Sequence, residues 1–130
     1  MAPNLSNLSL LTPVSFACYF VMSAMLAPMG ILAPEMALHF DLPVTEITRT
    51  FSALTFGNLI GAACATAVLT IWNLRSIFIA TYATLGIALL LLGLTDQLLS
   101  VGAILAVVGF GCGVGLAAAA VLITLRFSAS

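Results

Sequence analysis

Four continuous apolar runs, each near the roughly twenty residues a helix needs to cross a hydrocarbon core, share out almost the whole chain. Lipid offers no partner for free backbone N–H and C=O groups, so a chain of this kind has two choices, helices or a closed barrel. Pattern excludes the barrel, whose strands alternate apolar and polar residues over about ten positions; here the apolar stretches are unbroken. Water is excluded as the solvent by composition. Of 130 residues, 63% are hydrophobic and 5% charged, whereas a soluble domain carries about a quarter charged residues. The chain therefore reads as an all-α membrane protein of four antiparallel transmembrane helices, forming a single transmembrane domain over residues 1–130.

The spans are expected at about 12–33, 46–72, 75–95 and 99–125. Pro13 suits the first turn of the first span, and Pro28 predicts a kink within it. The stretch PEMALHFDLPVTEITR holds Glu35, His39, Asp41, Glu46 and Arg49, most of the charge. It is expected as a connection in water or headgroups, ending where Pro43 stops what precedes and Thr45 caps the second span. The turns at WNLRS and at Asp96 and Gln97 are short enough to demand hairpins, so the spans alternate in direction. The opening MAPNLSNLSLL lacks the positive region of a signal peptide, and the run behind it is too long for one, so it reads as leading into a retained span. Arg75 and Arg126 fall at the end of the bundle that holds both termini and Arg49 at the other, a bias toward cytoplasmic termini.

Reactive constellations are nearly absent. No serine or cysteine has a histidine placed to activate it and no carboxylate pair lies within a span, so the chain reads as no enzyme, with no cofactor and no metal. His39 reads as a solvated loop histidine. Cys18, Cys64 and Cys112 sit inside apolar runs as small packed residues, without the spacing of a disulfide framework. A net charge of −1 with no basic stripe excludes nucleic acid as a partner. The run GFGCGVG, residues 109–115, lacks the preceding strand and following lysine of a phosphate loop. It reads instead as a packing face. Gly109, Gly113 and Ala117 share one side of the fourth span, as Gly111, Gly115 and Ala119 share another, and Gly57, Gly61 and Ala65 repeat the device in the second. Small residues four apart let helix backbones approach closely in lipid.

Polar residues inside spans carry the remaining signal. Ser15, Tyr19 and Ser23 share a face of the first span; Thr48, Ser52 and Thr55 lie in the second, with Asn58 nearby. In hydrocarbon such groups seek a polar neighbour or a wet cavity. Two readings stay open: hydrogen bonds between helices or back to their own backbone, or a solute path. Arg49 reads as a snorkelling side chain at a span mouth. No acid lies at the centre of any span, so no proton-coupling site is visible.

The stretch HFDLPVTEITRTFSALTFGNLIG, the turn LTIWNLRS and the glycine-rich fourth span ending VLITLRF resemble the first four helices of a major facilitator superfamily (MFS) transporter. Within that family they are most like the TsgA-like group of bacterial inner-membrane members. The superfamily's signature turn after helix two is only partly present: Ala67, Ile71 and Leu74 stand where a glycine, an acid and a second glycine are expected, and Arg75 alone matches, marking a cytoplasmic turn. The resemblance implies transport of a small solute as part of a secondary transporter, with the solute held at the midplane between two six-helix halves. This chain would be an incomplete N-terminal half, a fragment or truncated product, needing its remaining helices or a second copy. The resemblance also turns helices one and four toward the central cavity. With the polar positions above, that makes Ser15, Tyr19, Met22, Ser23, Asn58 and Thr124 the substrate-path candidates. Two other readings remain. One is a small four-helix multidrug-type exporter working as a dimer, although that family's membrane glutamate in helix one has no counterpart here and Glu35 falls after the span. The other is a non-transporting membrane subunit that packs through its glycine faces.

Overall fold

The computed structural model describes the backbone of residues 5–27 and 29–128, and within them the side chains other than those of residues 5–11, 15, 18, 25, 26, 29 and 126–128. The described chain is helical: α1 (Leu5–Leu26), α2 (Met29–Phe40), α3 (Val44–Ile71), α4 (Leu74–Gly93) and α5 (Leu98–Ser128). Three stretches are long and apolar enough to cross a membrane, Val44–Ile71, Leu74–Gly93 and Leu98–Leu125. Within the described residues of α1 lies a shorter apolar stretch, Thr12–Ala24.

The first expected span is the one the structure redraws. A single helix over 12–33 is replaced by α1 and α2. Because α1 starts before residue 12, Pro13 lies inside the helix and not in its first turn. The helix stops at Leu26, and the Ala27 N–H donates to the Ser23 carbonyl at 3.0 Å to close its last turn. Pro28, where a kink was expected, lies outside the described residues; α1 ends before it and α2 begins after it. The residue ahead of a proline is pushed out of the helical region, and proline has no N–H to continue the ladder.

The second correction is α2 itself. The stretch from Pro34 to Phe40, expected as a polar connection, is helical, with Pro34 inside the helix. Ala33, Met36, Ala37 and Phe40 recur at i, i+3, i+4 and i+7, the spacing of one helix face. That face packs on Ile47 and Phe51 of α3. Glu35 and His39 are exposed. His39 therefore belongs to the last turn of a helix and not to a loop, with its ring edge-on to Phe40 at 5.1 Å between centroids. Asp41, at φ 51°, ends the helix. The Leu42 N–H then reaches back to the Ala37 carbonyl at 3.0 Å, the left-handed closure usually made by glycine.

Pro43 is the N-cap of α3, extended at φ −63° and ψ 143°, with no side-chain cap bond. Thr45, expected to cap, lies one residue inside the helix. Proline suits this boundary because its fixed φ and missing N–H cost little there. Glu46 follows in the first turn, where a carboxylate meets the positive end of the helix. The later boundaries fall within three residues of expectation.

At the centre stands α5. It is far more deeply buried than α3 or α4. Apolar on every side, it serves as the post on which α3, α4 and α1 lean, while α3 and α4 hardly touch each other. The core runs along it through Leu54, Phe78, Leu85, Leu105, Val108 and Ala118. The outside is equally apolar, with Phe20, Leu90 and Leu99 each more than 70% exposed. In water each would forgo about 25 cal/mol per Å² of exposed apolar area; in lipid that cost vanishes.

Candidate functional site

The tightest contact in the molecule is a seam between α3 and α5 made of backbone. A Cβ placed on Gly57 would fall on the Ala106 carbonyl oxygen, and one on Gly61 would fall on that of Phe110. From the other side, a Cβ on Gly109 would meet the Leu54 carbonyl oxygen, and one on Gly113 the Asn58 carbonyl oxygen, with the Ala62 nitrogen 2.7 Å away. The contacts advance by four residues on both helices together, so α3 and α5 run in the same direction. Nothing larger than hydrogen fits at these four positions. Backbones this close gain dispersion and Cα–H···O contacts, which supply cohesion where lipid removes the hydrophobic drive between helices. Ala65 is buried on the α3 side of the bundle and Ala117 is half-buried on α5.

A second face of α5 receives α1. The Tyr19 hydroxyl donates to the Leu116 carbonyl at 3.4 Å, the long end of the useful range. Met22, 1% exposed, fills the notch over Gly115. A Cβ there would stand 2.6 Å from the Met22 Cε and 3.1 Å from the Thr81 Cγ2.

The path candidates thus divide. Tyr19 and Met22 meet on the α1 side of α5. Asn58 is half-buried in the α3 seam, its Oδ1 3.0 Å from the Cβ position of Gly113. Ser23 and Thr124 are exposed, and the Thr124 hydroxyl donates to the Ala120 carbonyl at 2.9 Å. The side chain of Ser15 lies outside the described residues. On α3, Thr48 and Ser52 return their hydroxyls to the Val44 and Thr48 carbonyls at 2.9 and 3.5 Å. These two are therefore used within their own helix.

One polar residue escaped the sequence reading. Thr81 of α4 is only 5% exposed, and with Thr84 it lines a cleft of about 350 Å³ between α3, α4 and α5. An isolated threonine in an apolar run carries no spacing signal; its depth within a span was the one available clue. Arg75 is exposed in the first turn of α4, while Glu46, Arg49 and Thr50 edge an open groove beside the start of α5. Among the described residues, no three of His, Cys, Asp and Glu come together as a metal site.

This arrangement defines a helical chain with membrane-length apolar helices, cohesive through backbone contact. Among curated proteins it is similar to the Protein TsgA homolog of Buchnera aphidicola subsp. Baizongia pistaciae (strain Bp), at 32% identity over 89 residues. The match covers 68% of this chain and 23% of that relative, so it spans less than a quarter of the relative's length. No family model matches the chain, and no solved structure does.

Proposed function

We propose that this chain is the leading portion of a secondary transporter of the major facilitator superfamily, its four antiparallel spans moving a small solute across a bacterial inner membrane together with helices supplied elsewhere. The observation that carries the reading is the 32% identity to a TsgA homolog. Three membrane-length helices support it, as does the parallel course of α3 and α5 on either side of α4 in sequence, which up-down-up order requires.

In this reading α1 is the first span and residues 1–130 form one transmembrane domain, an incomplete N-terminal half. The face of α1 that carries Tyr19 and Met22, with the side of α5 on which it packs, borders the solute cavity, which the remaining helices or a second copy complete. Both termini are cytoplasmic, and Arg75 lies in a cytoplasmic turn. Alternating access needs two bodies that rock about a central site. The chain by itself contributes a post and three supports to one of them.

Genomic sequence past the codon for Ser130 tests this directly. Further membrane-spanning segments are expected in the same frame or a neighbouring one. A firm stop codon with no companion frame would sink the reading.

A further inference from the structure

We propose that the cleft between α3, α4 and α5 binds a small apolar molecule bearing one hydroxyl group, admitted from the lipid phase and held through Thr81 and Thr84. The site is separate from the transport reading, since no described residue of α1 lines it.

The cleft exists because α3 and α4 lean on α5 and hardly touch each other. Its walls are apolar, with Val68, Ile77, Val107, Phe110 and Val114 among them and Trp72 at the α3 end. At about 350 Å³ it falls within the range of small-molecule pockets, roughly 300–1,000 Å³. Two hydroxyls interrupt this apolar lining, one helical turn apart on the same side of α4. The Thr81 methyl lies toward α5, 3.1 Å from the Cβ position of Gly115. Thr48, Thr50 and Thr124 each donate to a carbonyl of their own helix, and Thr95, just past α4, donates back to the Leu91 carbonyl. Among the described residues neither Thr81 nor Thr84 makes such a bond. A hydroxyl surrounded by hydrocarbon costs free energy until it finds a partner. A lipid acyl chain would fill the volume and leave both hydroxyls unanswered. A molecule with an apolar body and one hydroxyl fills the volume and pairs them.

Trp72 is the chain's one tryptophan and lines the cleft, so its fluorescence reports occupancy. The full chain in detergent micelles would be titrated with 6-bromohexan-1-ol, whose bromine quenches indole, and with 1-bromohexane, which lacks the hydroxyl. The alcohol is expected to quench saturably and to be displaced by hexan-1-ol, while the bromoalkane quenches only in proportion to its partition into micelles. Thr81→Val keeps the side-chain shape and removes one hydrogen bond. It should weaken the saturable phase about fivefold, with Thr81→Ser restoring it. Thr84→Val, at a half-buried position, should weaken it about threefold and serves if Thr81→Val fails to fold by circular dichroism. Equal saturation by both bromides would overturn the proposal, as would folded valine variants that titrate like the parent. So would a brominated-acyl phospholipid that quenches to the same plateau and excludes the alcohol.

Discussion

Gly109 of α5 lies against Leu54 of α3 so closely that a methyl group at Gly109 would occupy the place of the Leu54 carbonyl oxygen. Gly113 stands in the same relation to Asn58 one turn further on. Both helices are held by the absence of side chains, so their contact answers sharply to the smallest substitution.

Gly109→Ala and Gly113→Ala should each destabilise the fold by about 1–3 kcal/mol, because backbone atoms on both sides must part to admit the methyl group. Gly86→Ala is the control. Nothing lies within 4 Å of its Cβ position, and alanine is the better helix former by up to about 1 kcal/mol. Thermal unfolding in detergent, followed by circular dichroism, should rank Gly86→Ala at or above the parent and the two seam variants below it. Equal midpoints for all three would remove the seam as a source of cohesion.

Met22 and Gly115 should behave as a coupled pair. Gly115→Ala sets a methyl 2.6 Å from the Met22 Cε, forcing α1 outward. Met22→Ala empties the notch and should cost about 2 kcal/mol, the low end of cavity penalties, because lipid supplies no hydrophobic transfer term. Combined, the two changes should cost less than their sum, since the alanine at 115 fills space that Met22 vacates. A strictly additive double mutant would show that the two do not share a site.

Asp41 pays a steric cost for its φ of 51°, which a β-branched residue cannot meet and glycine can. Asp41→Gly should therefore raise the stability of the α2–α3 corner by up to about 1 kcal/mol, and Asp41→Val should lower it by about 1–2 kcal/mol. Amide hydrogen exchange at Leu42, which bonds to the Ala37 carbonyl, should slow in the first variant and quicken in the second.

Glu46 and Arg75 should be reachable from opposite sides of a bilayer. They bracket α3, whose 28 residues give a length of about 42 Å, more than the roughly 30 Å of a hydrocarbon core. Single-cysteine variants Glu46→Cys and Arg75→Cys, made without the native cysteines and placed in sealed vesicles, should react with a membrane-impermeant maleimide from different faces. Labelling of both from the same face would rule out α3 as a complete span.

Much of the architecture could be read from local pattern. Long apolar runs set out α3, α4 and α5 to within three residues. The four-residue recurrence of Gly57, Gly61, Gly109 and Gly113 pointed to the two helices that the structure places in backbone contact. The α2 helix was legible too, in the spacing of Ala33, Met36, Ala37 and Phe40, but the charges interleaved with it directed attention to solvent. The candidate path was less legible. Nothing in the spacing of Tyr19, Met22 and Asn58 says that the first two meet one side of α5 and the third another.

What the sequence determined by itself was the solvent and the helices, because transfer of each apolar residue into lipid and each small residue's allowance for close approach are local, nearly additive quantities. Tertiary structure alone decided which faces are covered. Leu85 is buried at 3% exposure and Leu90, on the same helix, is 72% exposed, yet both are leucines in one apolar run. In water that difference would have left a polar stripe on the outer face. In lipid both environments favour the same residue, so burial, the α1 docking at Tyr19 and the enclosure of Thr81 emerge only once the helices are set against one another.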